Sequence, residues 1–291
     1  ILLSAKYPML ACSPLNNRSS LACLGVSMDH LKEYDLFGEV PKQDAGIIKG
    51  KYQQAPFTVL SARDGDWQER KRQWKRLGIQ SEVGRDAKAF NIGDWDGFGG
   101  MRGDSDTSIF DPVLCELMYS WFCPDGGRVV DPFSGGSVRG IVAATLGYDY
   151  WGCDIRAEQV ESNNAQADAI CSGKVPTWVV GDAINALDGS PLSDFLFSCP
   201  PYGDLEVYSD LDGDISNMPY SDFMRAYTAI IGKAVNRMKE DSFACFVVGE
   251  FRDKTGVYRG FVPDTINAFI EAGAGLYNEA ILVTPTGSLP V

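Results

Sequence analysis

The segment FSCPPYGD, Phe197 to Asp204, sets Ser198, Cys199, two prolines and Tyr202 at the end of a strand-like run. Pro200 and Pro201 fix two φ angles and carry no backbone N–H, which makes a stiff, extended turn whose carbonyl oxygens are free to accept hydrogen bonds. Such a turn suits a ligand that donates, such as an amine. A second feature, VVDPFSGGSVRG from Val129 to Gly140, joins Asp131 to small residues that let the backbone approach a ligand at a helix N-terminus. WGCDIR then places Asp154 twenty-three positions after Asp131, where doubly wound sheets set an acid against ribose hydroxyls. VVGD ends a third run in Asp182. The pyrophosphate fingerprint G-x-G-x-x-G is missing, and acids at Asp131 and Asp154 repel a dinucleotide's phosphates while suiting a ligand with an amino group. S-adenosylmethionine meets those conditions better than NAD. Alone, Asp182 is equally a turn or helix cap and the glycine turn a tight connection; the succession of strand ends is what points to one ligand-binding edge.

For these residues to meet, the strands that carry them must lie side by side. From Ile109 onward the apolar pattern alternates between strand and helix. Strands are predicted at Arg128–Asp131, Tyr148–Asp154, Thr177–Val180, Phe195–Ser198, Phe243–Val248 and Leu276–Val283. Helices are predicted at Pro112–Phe122, Val138–Leu146, Ala157–Ala169, Tyr220–Met238 and Asp264–Ala272. This order gives an α/β fold, a Rossmann-like, doubly wound, mostly parallel sheet. Residues 1–108 show no such alternation and end in the glycine- and aspartate-rich Gly93–Asp106, so a boundary is expected near Ser108. The expected division is an N-terminal extension, 1–108, and a catalytic domain, 109–291.

Within the extension, Asp66–Leu77 is predicted to be a helix, with Trp67, Trp74 and Leu77 on roughly one face and a strongly basic remainder in RKRQWKR. Two readings of Arg70, Lys71, Arg72, Lys75 and Arg76 stand open: a solvated face of an ordinary amphipathic helix, or a helix that contacts DNA phosphates. The formal net charge of −13 excludes a general nucleic-acid coat, so any polyanion site must be local. Tyr202–Asp222, by contrast, holds six aspartate or glutamate residues and no base. Eight cysteines at irregular spacing, without a CxxC pair and with His30 as the only histidine, predict free buried thiols and no metal site. No apolar run approaches the ~20 residues of a membrane helix, and ILLSAKYPML lacks a leader layout. A cytoplasmic protein, monomer or homodimer and without membrane association, is expected.

DPFSGG, GCDI and SCPPY, in that order, resemble the S-adenosylmethionine-dependent amino-methyltransferases that modify DNA. Those enzymes carry a DPF-x-G-x-G turn, an acidic second-strand end and a (D/N/S)-PP-(Y/F) turn. The likeness covers roughly residues 109 to 284, and PFTVLSARDGDWQERKRQWKRLGIQSEVGR and SCPPYGDLEVYSD also look like methylases of phages and mobile elements. It implies that Pro132, Phe133, Ser134, Gly135 and Gly136 line the methionine part of the cofactor, with Asp131 near its amino group. Asp154, with Ile155 beside it, would hold the ribose, Asp182 the adenine amine, and Phe110 a further cofactor contact. The implied reaction is methylation of an exocyclic amino group of adenine or cytosine. The Pro200 carbonyl would accept from the amine and Tyr202 would stack on a base flipped from the duplex. Relatives of this turn also modify RNA or protein glutamine, and a catalytically silent binding module is the remaining alternative.

The sequence departs from that pattern in three places. Cys199 stands where the family has Asp, Asn or Ser, and its sulfur is a weak acceptor. Ser198, one residue away, takes that role if the strand end turns. The glycine turn reads Gly135, Gly136, Ser137 where the family has GSG. Only sixteen residues separate Asp182 from Cys199, which leaves no room there for a target-recognition insert. The acidic stretch after Tyr202 is a candidate lid. The sequence ends at TGSLPV, before the final hairpin strand that the family leads one to expect.

Overall fold

The computed structural model describes residues 2–5, 58–79, 110–203 and 209–284. The elements are, in order, β1 (Leu2–Ala5), β2 (Thr58–Ser61), α1 (Gly65–Arg76), α2 (Pro112–Phe122), β3 (Arg128–Asp131), α3 (Val138–Thr145), β4 (Asp149–Asp154) and α4 (Ala157–Ile170). They continue with β5 (Thr177–Val180), α5 (Ala183–Ala186), β6 (Ser193–Ser198), α6 (Tyr220–Asn236), β7 (Met238–Phe246), α7 (Phe261–Glu271), β8 (Ala274–Asn278) and β9 (Ala280–Val283).

Seven strands form one sheet in the order β5-β4-β3-β6-β7-β1-β8, and β2 pairs with β9 in parallel as a separate ribbon. The pairings from β5 through β7 are all parallel. The chain winds outward from β3 through β4 to β5, then returns to place β6 on the other side of β3. The switch point between β3 and β6 opens a crevice at the carboxyl ends of the strands, the usual ligand site of such sheets.

Two-residue alternation places consecutive side chains on opposite faces, and both faces are covered. Val129, Phe195 and Phe197 pack with α2, α3 and the two tryptophans of α1, while Val130, Leu196 and Ala244 pack with α6 and α7. Local chemistry fixes the ends of α2. Asp111 caps it by accepting from the N–H groups of Val113 at 3.0 Å and Leu114 at 3.4 Å, and Pro112 opens it where no N–H is needed. Gly140 lets α3 lie against β5: a Cβ there would sit 2.4 Å from Cζ2 of Trp178.

Two features differ from the sequence expectation. Leu276–Val283 is two strands, because the chain breaks at Asn278, whose side chain accepts from the Glu279 N–H, and β9 leaves for β2. β1 joins the main sheet although its surroundings carry no readable pattern. It runs antiparallel between β7 and β8, pairing Leu2 with Cys245 and Ala5 with Ala274. The boundary drawn near Ser108, the Gly93–Asp106 stretch, His30 and the cysteines at 12 and 23 lie outside the described residues.

Candidate active site

Because β5, β4, β3 and β6 are adjacent and parallel, Asp154, Asp131 and Ser198 end neighbouring strands at one edge, and Asp182 joins them as the cap of α5. Asp131 is fully buried at their centre. Its Oδ2 accepts from Arg139 Nε at 2.5 Å and the Tyr150 hydroxyl at 2.8 Å; its Oδ1 accepts from the Ser198 hydroxyl at 2.5 Å and the Phe133 N–H at 3.1 Å. Four donors on one carboxylate tie β3, β4, β6 and α3 together.

One sequence expectation, that for Ser198, changes on this geometry. Asp131 is enclosed and its oxygens already accept from four protein donors, so it braces the site from within. Ser198 turns its hydroxyl inward to Asp131, and its carbonyl takes the Val247 N–H at 2.9 Å as the strand continues. It does not replace Cys199 as an outward acceptor. The alternation that buries Leu196 on one face of β6 carries Ser198 to the same face.

Arg139 is a buried charge at this edge that the motifs did not reveal. Its guanidinium is 5% exposed as a residue, donates Nη2 to the carbonyls of Phe133 at 2.6 Å and Ser134 at 2.8 Å, and lies 4.6 Å from the Phe110 ring centre. Nη1 has no acceptor among the described residues. Burial opposes its charge, but Asp131, Tyr150 and Cys199 outweigh that and hold its pKa well above the ordinary value. The only signal for it was a charge in the otherwise apolar helix VRGIVAAT.

The glycine turn is held open by the same kind of bracing. The Ser134 N–H and hydroxyl both donate to the Cys153 carbonyl, at 3.0 Å and 2.9 Å, and the Gly135 carbonyl accepts from Asn163 at 2.8 Å. Gly135 takes φ +48°, the left-handed region that glycine reaches without strain. Gly152 makes room from the next strand, since a Cβ there would meet Ser134 Cβ at 2.8 Å. Phe110 reaches this place too, edge-on to Phe197 at 5.8 Å.

Cys199 is half-buried and close enough to Arg139 and Tyr227 to influence both. Tyr227 has its pKa raised chiefly by burial, with Cys199 acting in the same direction. Rings continue from the glycine turn to the proline turn: Phe133 to Tyr227 at 6.0 Å, Tyr227 to Phe261 at 5.4 Å, Phe261 to Tyr202 at 5.9 Å. Tyr202 also meets Phe251 edge-on at 6.2 Å. Pro200 is buried behind this layer and Pro201 half-buried. Among the described residues, no donor reaches the Pro200 carbonyl.

At the other end of the edge, Asp154 Oδ1 accepts from the Arg156 N–H at 2.8 Å, and its side chain keeps 12% exposure. Asp182 Oδ1 caps α5 by accepting from Ile184 N–H at 3.0 Å. Gly213, at φ +93°, lies over both strand ends. A Cβ on it would be 3.4 Å from Ile155 Cδ1 and 3.6 Å from Asp182 Oδ2. Asp214 holds that segment in shape by accepting from Ser209 Oγ at 2.7 Å and from Ser216 N–H at 2.9 Å and Oγ at 2.6 Å. The described part of the acidic stretch thus roofs Asp182 and Ile155; residues 204–208 of it lie outside the description.

In the basic helix, three of the five cations face carboxylates. Arg70 makes a two-pronged pair with Glu116 at 2.8 Å and 2.9 Å, Lys71 pairs with Asp111 at 3.0 Å, and Arg72 pairs with Glu69 at 2.7 Å. Trp67 and Trp74 are fully buried, with indole N–H groups on Asp111 and Glu116. Arg70, Lys71 and Arg72 are therefore paired, and the first two dock α1 onto α2; Lys75 and Arg76 are exposed. A cleft of about 380 Å³ between Trp121–Pro124 and Lys239–Phe243 lies at the opposite, amino edge of the sheet, away from all these residues.

No family model matches the chain, and no curated protein matches it. Solved structures share part of the fold. TrmN from Thermus thermophilus is 18% identical, over 45% of this chain and 36% of that one, with a TM-score of 0.35. Precorrin-6y C5,15-methyltransferase from Geobacter metallireducens GS-15 is 13% identical, over 59% and 75%, with a TM-score of 0.41. Magnesium protoporphyrin IX methyltransferase from Synechocystis PCC 6803, with bound S-adenosylmethionine, is 14% identical, over 56% and 68%, with a TM-score of 0.37. The chain thus spans about a third of the length of TrmN.

Proposed function

We propose that this protein transfers a methyl group from S-adenosylmethionine to an exocyclic amino group of adenine or cytosine in DNA. The observation that supports this most is the junction at the switch point. The Cys-Pro-Pro-Tyr turn leaves β6 beside the glycine turn of β3, and Ser198, Asp131 and Arg139 fasten the two in register. The residues fit the cofactor along the edge: a partly exposed acid at Asp154 for ribose hydroxyls, Ile155 and Asp182 under the Gly213 roof for adenine, and an open backbone turn at Gly135 and Gly136. Arg139, with Nη1 uncommitted among the described residues, suits the carboxylate of the amino-acid end, in place of the buried Asp131.

When bound, the cofactor supplies an activated sulfonium methyl group. The chain's own task is to make an aromatic amine nucleophilic, because its lone pair is delocalised into the ring. A rigid acceptor at the Pro200 carbonyl draws the amine toward tetrahedral geometry and localises the lone pair. Tyr202, braced by Phe251 and Phe261, provides the face against which a flipped base stacks. Cys199 accepts weakly, which leaves more of the work to the carbonyl.

The test is methylation of DNA with labelled S-adenosylmethionine, followed by mass spectrometry of the nucleosides. The expected product is a methylated adenine or cytosine, lost in Tyr202→Ala and retained or increased in Cys199→Ser. Cofactor binding without label in any nucleoside would support the silent module instead, and label in RNA or in glutamine alone would redirect the substrate.

A further inference from the structure

Beyond the catalytic turn, we infer that Phe251–Gly260 is a contact for the DNA strand that flanks the target base, its cations on phosphates and Tyr258 on an unstacked base. This rests on the methyltransferase reading only for the identity of the target. The segment leaves the carboxyl end of β7, next to the β6 end that carries the proline turn. Its base is fixed beside the site: Phe251 is buried against Tyr202, Tyr220 and Phe261, at 6.2, 6.0 and 5.6 Å. Glu250 secures the other side by accepting from the N–H groups of Gly260, Phe261 and Val262, each at 3.1 Å.

The tip is a small hairpin closed by an antiparallel bridge between Arg252 and Tyr258. Asp253, the acid within it, is turned into the loop, where its Oδ1 accepts from Thr255 N–H at 2.8 Å, Thr255 Oγ1 at 2.6 Å and Val257 N–H at 3.1 Å. Those hydrogen bonds, all on Oδ1, lower its pKa and tie the carboxylate to the loop. Arg252 stacks 3.9 Å from the Tyr258 ring centre and donates to the Gly256 carbonyl at 2.7 Å, so no carboxylate neutralises it. Lys254 is exposed and has no acidic partner among the described residues. Tyr258 is 58% exposed and Val257 61%, large apolar surface at the end of a well-braced loop.

In a chain of net charge −13, two cations without acidic partners flanking an exposed aromatic ring are a local exception. Cation and stacked ring together are the chemistry of single-strand recognition: Lys and Arg take phosphates, and an aromatic face takes a base whatever its identity. Base flipping creates such a strand beside Tyr202. The basic helix α1, whose Arg70, Lys71 and Arg72 are paired, is the poorer place for that contact.

Fluorescence anisotropy with single-stranded and duplex oligonucleotides over a salt series tests this. Arg252→Gln/Lys254→Gln should bind roughly tenfold or more weakly at low salt, with the slope of log K against log salt shallower by about 1.5 for two lost phosphate contacts. Tyr258→Ala should weaken single-stranded binding by roughly tenfold and leave the slope unchanged. Calorimetric affinity for S-adenosylmethionine should stay the same in all of them. Unchanged affinity and slope in variants of an enzyme that methylates DNA would overturn the inference and leave the proposed reaction standing. The converse, variants that lose DNA binding in a protein that transfers no methyl, would uphold the contact and defeat the reaction. A wild-type chain that binds neither oligonucleotide overturns the contact outright.

Discussion

Replacing Arg139 by Met removes the guanidinium from a carboxylate that has no exposed surface. Breaking a buried ion pair from one side costs about 3–5 kcal/mol, mostly because the remaining charge is left uncompensated. Asp131 keeps three donors after the change, from Tyr150, Ser198 and Phe133, which puts the expected loss near the lower end of that range. Total stability is about 5–15 kcal/mol for a domain, so the variant should fold with a clearly lower urea midpoint. Asp131→Asn should cost a similar amount, since an amide in the carboxylate's place presents N–H to a donor. The decisive measurement is the double variant, Asp131→Asn with Arg139→Met, by urea denaturation followed through tryptophan fluorescence and circular dichroism. Its loss should fall short of the sum of the two singles by about 2 kcal/mol or more, because each change removes the penalty that the other creates. Additivity within about 0.5 kcal/mol, or an Arg139→Met loss under about 1 kcal/mol, would refute the claim that this pair braces the switch point.

Gly140→Ala should destabilise by about 1–3 kcal/mol in the same assay, reversing the usual helical preference for alanine, because the methyl group meets the Trp178 ring at 2.4 Å. Among the described cysteines, Cys199 and Cys171 are half-buried and the others buried. Burial raises the thiol pKa of Cys123 to about 12 and pushes Cys115, Cys153 and Cys245 up as well. Thiols held protonated are unreactive, so brief iodoacetamide treatment at neutral pH should leave those four unlabelled in peptide mass spectra. Cys199 should label, and faster as the pH is raised. Arg70→Gln should lower stability by about 1–3 kcal/mol through loss of the Glu116 pair without changing the salt slope of DNA binding. A shallower slope would return α1 to the role of a phosphate-contacting helix.

Much of the parallel half was legible because its information is local. Strand β3, helix α2 and strand β5 follow from apolar period, the Asp-Pro start at 111–112 and Gly181 directly after β5, and the observed bounds coincide with the expected ones. Edge residues were legible for the same reason: an acid directly after an apolar run falls at a strand end. What was hidden depends on partners distant in sequence. Glu116 lies 46 positions from Arg70, so nothing near the basic helix shows that Arg70 is paired. Ser198 and Asp131 meet across 67 positions, and without that contact the serine looks available for catalysis. The four residues of β1 have little preference of their own and become a strand only when β7 and β8 stand on either side.

That last strand has a consequence for how the chain is made. Leu2 and its β7 partner Cys245 stand 243 positions apart, so Leu2 leaves the ribosome well before the strand it pairs with. At about 5–20 residues per second, roughly ten to fifty seconds pass before the two can meet. During that wait β1 has no neighbour, because β7 and β8, the strands on either side of it, have yet to be made. An unpaired strand of that kind invites other chains to add themselves. Assembly of the sheet is therefore a late, whole-chain event with a high contact order, and a stalled or truncated translation product should be the species that aggregates.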